Sequence, residues 1–343
     1  MTKKFNVAVI GATGLVGETM LALLAQRQFP INQLYPIASQ RSAGEAITFN
    51  KKSLLIEDLA EFDFKKVDIA LFSAGAAVSA EYVPIATKSG CIAIDNTSQF
   101  RYDDDVPLVI PEVNPQALKN YAKRNIIANP NCSTIQMLVA LKPIYDAVGI
   151  SRINVATYQS VSGAGRKAFK ELLDQCGRLL NGMAIKKPEA FATQIAFNVI
   201  PHIDDFQENG YTREEMKMVW ETQKIFADKE IQVNPTAVRV PVLHCHSEAV
   251  HIETKKKISV SQVKQLLKKA AGIELIDRYA DNGYPMPIMK DAEKHKDTVM
   301  VGRIREEISH PLGLNLWIVS DNVRKGAALN AVQIAECLVQ DYL

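Results

Sequence analysis

Short apolar runs alternate with helically spaced stretches along the first half of the chain. Residues 5–10, 34–39, 67–72, 91–94 and 126–128 are predominantly apolar blocks of strand length. Between them, Thr19, Met20, Leu23 and Leu24 recur at helical spacing, and residues 82–89 do so again. A βαβ succession of this kind predicts a parallel, doubly wound, Rossmann-like sheet. From Ser133 onward Ile135, Leu138, Val139 and Ile144 mark a helix that runs to about Gly149.

Beyond residue 150 the pattern changes. Residues 153–158, 232–243, 247–253, 299–304 and 314–320 read as strands, with helices at 166–180, 212–226 and 261–271. That grouping predicts an α+β domain with a mixed, largely antiparallel sheet. Residues 181–202 lack periodicity and hold Pro188 and Pro201, so they read as loop. Asp321-Asn322 is placed to cap a last helix, 323–339, alanine-rich and expected to pack back onto the first domain. The resulting division is 1–131 with 322–343 for one domain and 132–321 for the other.

Composition narrows the class. The chain has 343 residues, 47% hydrophobic and 23% charged, with a formal charge of +2. That near-neutral balance carries no footprint for nucleic acid, and no apolar run approaches the ~20 residues that span a bilayer. No signal-peptide pattern precedes the first strand. The five cysteines are scattered without Cys-x-x-Cys spacing, which argues against a disulfide framework and for a cytoplasmic protein.

Candidate chemistry begins at Gly11-Ala-Thr13-Gly14-Leu15-Val16-Gly17, between the first strand and the first helix. Glycines there let backbone N–H groups approach a pyrophosphate at the helix N-terminus. After the second strand an NAD-specific site would place a carboxylate; Ser39, Arg41 and Ser42 stand there instead, a set suited to the 2′-phosphate of NADP. Ser73 follows the third strand as a further nucleotide contact.

Cys132, in Asn129-Pro-Asn-Cys-Ser-Thr134, falls at the mouth of a helix, where the dipole favours a thiolate. A small buried hydrophobe is the competing reading. Gln159-Ser-Val-Ser162-Gly163-Ala-Gly165 is either an anion-tolerant backbone nest or a flexible turn. Glu214 and Lys217 have i, i+3 spacing, as a surface salt bridge would, while Thr212 and Glu215 have capping-box spacing. Arg101 can pair with the acidic run 103–105 or clamp an anion. His244 and His246 would share a strand face, but no further ligands complete a metal site, so no metal is expected. Arg239 and His246 would fall on opposite faces of an unbroken strand unless Pro241 marks a bulge.

Five motifs in register, Gly-Ala-Thr-Gly-Leu-Val-Gly at 11–17, Asn-Pro-Asn-Cys-Ser-Thr at 129–134, Gln-Ser-Val-Ser-Gly-Ala-Gly at 159–165, Glu-Glu-Met-Lys at 214–217 and Arg-Val-Pro-Val with His-Ser at 239–247, carry a resemblance. The chain resembles the bacterial aspartate-β-semialdehyde dehydrogenase family over its whole length. The resemblance implies NADP-dependent reduction of 4-phospho-L-aspartate to L-aspartate 4-semialdehyde and phosphate, reversible, on the route to lysine, methionine and threonine. It also implies a homodimer. Cys132 would be the nucleophile, His246 the proton-transfer group and Gln159 the residue that orients the acyl group. Arg239 would hold the α-carboxylate, Glu214 the α-ammonium, and Arg101 with Lys217 the phosphate. Ser162, Gly163 and Asn322 would join the cofactor contacts. The rival readings are N-acetyl-γ-glutamyl-phosphate reductase and, in other classes, a thiol hydrolase or an NADP-sensing regulator.

Overall fold

A computed structural model describes residues 3–288 and 292–343. The chain divides into two compact units, Met1–Asn131 with Ala327–Leu343, and Cys132–Gly326. The second crossing falls at Gly326/Ala327 rather than at Asn322. The turn 321–326 stays with the second unit because Asn322 and Gly326 are held there by residues 160, 162 and 132.

The first unit is built on a six-stranded sheet in which every pairing is parallel. Its spatial order is Glu57–Asp58, Ile31–Ala38, Phe5–Ile10, Ile69–Phe72, Ile92–Asp95, Ile126–Ala128. The order reverses between Phe5–Ile10 and Ile69–Phe72, the switch point at which open α/β sheets bind ligands. Strand blocks such as Ile69–Phe72 are buried at every position, as a sheet covered on both faces requires. Helices Leu15–Gln26 and Leu329–Asp341 share one core with that sheet: Leu23, Leu24, Ile94, Val332 and Leu338 are all buried in it. The sequence pattern missed the hairpin Ala46–Phe49/Lys52–Leu55, whose turn residues Asn50 and Lys51 both take positive φ.

The second unit carries a mixed sheet ordered Gln232–Arg239, Ile150–Gln159, His246–Thr254, Gly313–Ser320, Val299–Glu306, Ile273–Leu275. Three of its pairings are antiparallel and the two outermost are parallel. Helices Gly165–Leu180, Arg213–Phe226 and Val260–Lys269 accompany it. The capping box read from Thr212 and Glu215 is formed at the start of Arg213–Phe226. The closing helix differs from its expected form. Asp321, not Asn322, accepts from the N–H groups of Val323 and Arg324, and residues 324–328 make a wide π turn before Leu329–Asp341 begins.

Candidate active site

Three neighbouring strand ends build the site in the second unit. Ile150–Gln159 runs parallel to Gln232–Arg239, so Gln159 and Arg239 lie level at the same end. His246–Thr254 runs antiparallel on the other side and begins at that end, next to Gln159. Residues 240–245 therefore carry the chain across the end of the central strand. No bulge at Pro241 is needed, because Arg239 and His246 belong to two strands that flank Gln159. The residue at the turn into the last strand, Cys245, takes a left-handed φ of 67°. That twist also separates His244, which packs against the Phe169 ring, from His246, so the two histidines share no strand face. Among the described residues no cluster of three or more metal-ligating side chains is arranged to hold an ion.

Cys132 is the first residue of helix Cys132–Val148 and is half-buried. A first-turn position sets the thiol among N–H groups that precede the first intrahelical bond, where the dipole favours the anion. The next residue, Ser133, accepts from Gln159 Nε2 at 3.0 Å. Gly326 lies against the cysteine so closely that an added Cβ would stand 2.7 Å from Cys132 Cβ.

His246 is fully buried, and its orientation is fixed. The Ser160 N–H donates to Nδ1 at 3.0 Å, so Nδ1 is the acceptor and the ring proton sits on Nε2. Nε2 itself has no hydrogen-bond partner among the described residues. Burial, reinforced by the Arg239 charge, pulls the pKa of His246 down to about 3. With its pKa so depressed, the imidazole is neutral and presents an N–H donor. Ser162 Oγ donates to Asn322 Oδ1 at 3.1 Å, and Ser160 Oγ does so at the same distance. Gly163 roofs the histidine and arginine together, since a Cβ there would meet His246 Nε2 at 3.0 Å and Arg239 Nη1 at 3.1 Å.

The charged groups form a chain. Gln159 Nε2 donates to Glu214 Oε1 at 3.1 Å, and Lys217 Nζ donates to Glu214 Oε2 at 2.9 Å and to Asp204 at 2.7 Å. Burial alone would lower the Lys217 pKa, but Glu214 and Asp204 outweigh it and raise it. Arg239 donates from Nη1 to Ser160 O at 2.7 Å, one of its five N–H donors. Burial lowers its pKa against the opposing pull of Glu214 and Cys132. Glu214 and Arg239 are both buried, so the i, i+3 pair is not a solvated surface bridge.

The predicted nucleotide contacts from Gly11 to Ser73 lie in the first unit, whereas Ser162, Gly163 and Asn322 lie in the second. Gly11 has φ +84°, and a Cβ on Gly17 would fall 2.1 Å from Gly11 O, so the helix packs onto the turn only through glycine. Gly14 is the N-cap and offers no side chain, which leaves the N–H groups of Leu15, Val16 and Gly17 ahead of the first intrahelical bond, Glu18 N to Gly14 O. Thr13 is half-buried beside them. Ser73 Oγ donates to Ile10 O at 3.1 Å at the switch point. Ser39 and Arg41 are exposed, with Ser42 half-buried in the short helix Gln40–Ser42 that follows the second strand. Arg101 is buried in this unit and donates to Asn96 O at 3.1 Å, while Asp103 and Asp105 pair with Arg124. Sequence reasoning missed Ser160, Asp204 and Gly326. Only the motif 159–165 signalled the first of these; the other two act through contacts far apart in the chain.

A family model described as the NAD-binding domain of semialdehyde dehydrogenase matches residues 6–121, and one described as its dimerisation domain matches residues 141–325. An aspartate-semialdehyde dehydrogenase of Legionella pneumophila is 62% identical over 343 residues, covering 100% of this chain and 98% of the relative. The chain belongs to the aspartate-semialdehyde dehydrogenase family. Another aspartate-semialdehyde dehydrogenase, from a Shewanella strain, is 60% identical and fully covered by the alignment. The structure of aspartate semialdehyde dehydrogenase II from Vibrio cholerae, solved in complex with ASA, superposes with a TM-score of 0.96 at 59% identity, covering 100% of both chains. Aspartate-semialdehyde dehydrogenases are oxidoreductases of amino-acid biosynthesis, and this chain has the family's NAD(P)-binding domain. Among the described residues no helix is long and apolar enough to cross a membrane.

Proposed function

We propose that this chain converts 4-phospho-L-aspartate to L-aspartate 4-semialdehyde through a thioester on Cys132, with NADP as the nicotinamide carrier. The observation that carries the reading is the convergence of Gln159, Arg239 and His246 at three adjacent strand ends beside the helix that opens with Cys132.

The thiolate attacks the acyl phosphate carbon, the C–S bond forms, and the C–O bond to phosphate breaks. The departing phosphate takes up one proton from water, the proton that the overall reduction consumes. The cofactor, when bound, supplies the hydride that reduces the thioester. The resulting oxyanion re-forms a carbonyl and expels the thiolate, so Cys132 is regenerated. At each stage negative charge develops on one oxygen, and the His246 Nε2–H is a donor suited to it. Gln159, held between Ser133 and Glu214, orients the acyl group.

Recognition follows from charge. Arg239 suits the α-carboxylate through its planar fork, and Glu214 suits the α-ammonium. Lys217 and Arg101 are the proposed phosphate ligands. The glycine cradle at Gly11, Gly14 and Gly17, with the first-turn N–H groups of Leu15 and Val16, fits a dinucleotide pyrophosphate. Thr13 and Ser73 border it, Ser39, Arg41 and Ser42 suit a 2′-phosphate, and Ser162, Gly163 and Asn322 are the proposed nicotinamide-side contacts. The domains follow as nucleotide-binding and catalytic. A homodimer is supported by the dimerisation-domain match and by Tyr158 beside Trp317, an aromatic pair on the sheet face away from Gln159, with Tyr158 39% exposed. A cytoplasmic location suits a biosynthetic enzyme with thiol chemistry.

The deciding experiment compares two aldehydes in the phosphate-dependent oxidative direction. L-Aspartate 4-semialdehyde should reduce NADP; N-acetyl-L-glutamate 5-semialdehyde, lacking an ammonium for Glu214, should not. Turnover of the acetylated aldehyde alone would replace this reading by the reductase of that substrate.

A further inference from the structure

Beneath the catalytic side chains lies a buried carboxyl that the chemistry above does not use. Glu248 is two residues past His246 on the same strand, so both point to the same face of the sheet. Its exposure is 0%. Strand pairing sets Thr157 on one side and Ile318 on the other. Gln136, one helical turn beyond Cys132 and also fully buried, covers it. Among the described residues, those set against Glu248, Thr157 and Ile318 from the strands and Gln136 from the helix, carry no charge, and His246 on its own strand is neutral.

The hydrogen bonding is incomplete in a complementary way. Gln136 Nε2 donates to the backbone carbonyl of His246 at 3.4 Å. That carbonyl can only accept, which fixes the amide nitrogen toward the strand. Gln136 Oε1 then has no donor, and neither Glu248 oxygen meets hydrogen-bond geometry although the Gln136 side chain is beside them.

We propose that Glu248 is a positioning residue of this site: with Gln136 it forms a buried polar link between the strand that carries His246 and the helix that opens with Cys132. In this role it is an uncharged carboxylic acid. An isolated carboxylate in so dry a place would cost far more than keeping the proton. Burial accordingly pushes its pKa well above the carboxylate range, with only Gln136 opposing. The acid O–H supplies the donor that Gln136 Oε1 lacks. Thr157 extends the link, since its Oγ1 is 3.5 Å from Gln159 Nε2. The neutral state matters to the chemistry, because a second anion on the inner face of the Cys132 helix would oppose thiolate formation there.

The proposal rests on the Cys132–His246 mechanism for its kinetic arm but not for its spectroscopic one. In the full-length enzyme at pH 8, infrared spectroscopy should show the C=O stretch of a protonated carboxylic acid that disappears in Glu248→Gln. Glu248→Gln should keep kcat and KM within about twofold, because a neutral amide preserves the donor. Glu248→Leu should lower kcat by about tenfold or more with KM for aldehyde and phosphate nearly unchanged, as a displaced catalytic group does. The Gln136→Leu, Glu248→Leu double variant should lose no more than the worse single variant, the signature of one shared link. Absence of the protonated-acid band, a Gln variant as impaired as the Leu variant, or additive losses would each overturn the proposal. The band is read without turnover, so an error in the substrate assignment would leave that result standing.

Discussion

The Ser160 N–H donates to His246 Nδ1 at 3.0 Å, and this one backbone bond decides what the histidine can do. It places the ring proton on Nε2 and leaves the imidazole a hydrogen-bond donor, as its proposed role toward the oxygen that gains charge requires. The same burial that enforces neutrality makes the residue a source of pH-dependent stability. Folded, His246 has a pKa of about 3; unfolded, it returns to about 6.5. The group's folded pKa is depressed, so its contribution is fully present above about 6.5 and is lost as pH falls toward 3. Denaturant titrations between pH 8 and pH 4 should show wild type losing stability on acidification more steeply than His246→Gln. Parallel curves for the two proteins would mean that the histidine is not held neutral.

Gly163 is expected to be intolerant of alanine for a reason separate from backbone strain. A Cβ there would press on His246 Nε2 and Arg239 Nη1 at about 3 Å, so these side chains must give by a few tenths of an ångström. Displacements of up to an ångström in a catalytic group cost about 10²-fold in rate. Gly163→Ala should therefore lower kcat by about ten- to a hundredfold while its melting temperature stays within a few degrees of wild type. An unchanged kcat would show that the roof over His246 is looser than the geometry states.

The proposed preference for NADP rests on Arg41, exposed after the second strand with Ser39 and Ser42 beside it. Removing a charged hydrogen-bond partner of a phosphate costs about 1.5–3 kcal/mol, or roughly ten- to a hundredfold in affinity. Arg41→Ala should raise the Kd for NADP by that factor and leave the Kd for NAD unchanged. Equal losses for both nucleotides would remove Arg41 from the 2′-phosphate.

Local signals made part of this enzyme legible in sequence. The glycine turn could be read because its strand and helix adjoin it, and Cys132 because a helical period begins at the next residue. Thr212 and Glu215 announced a capping box that forms as written. What was hidden depends on strand order. Arg239 and His246 looked like members of one strand, seven residues apart, and only the insertion of Ile150–Gln159 between their two strands brings them to a common end. Asp204 as a partner for Lys217 and Gly326 as the neighbour of Cys132 have no local pattern at all. The hairpin at 46–55 escaped because Lys51, an ordinary residue, takes a φ of 65° that glycine or asparagine would have advertised.

The central claim is a covalent bond at Cys132, and it is tested most directly without any cofactor. Enzyme mixed with 4-phospho-L-aspartate alone and quenched in acid should release one phosphate per site. Peptide mass spectrometry should then find a hydroxylamine-labile aspartyl adduct on Cys132, and none in Cys132→Ala. An enzyme that turns over normally yet carries the adduct elsewhere, or carries none while phosphate is released, would contradict the account.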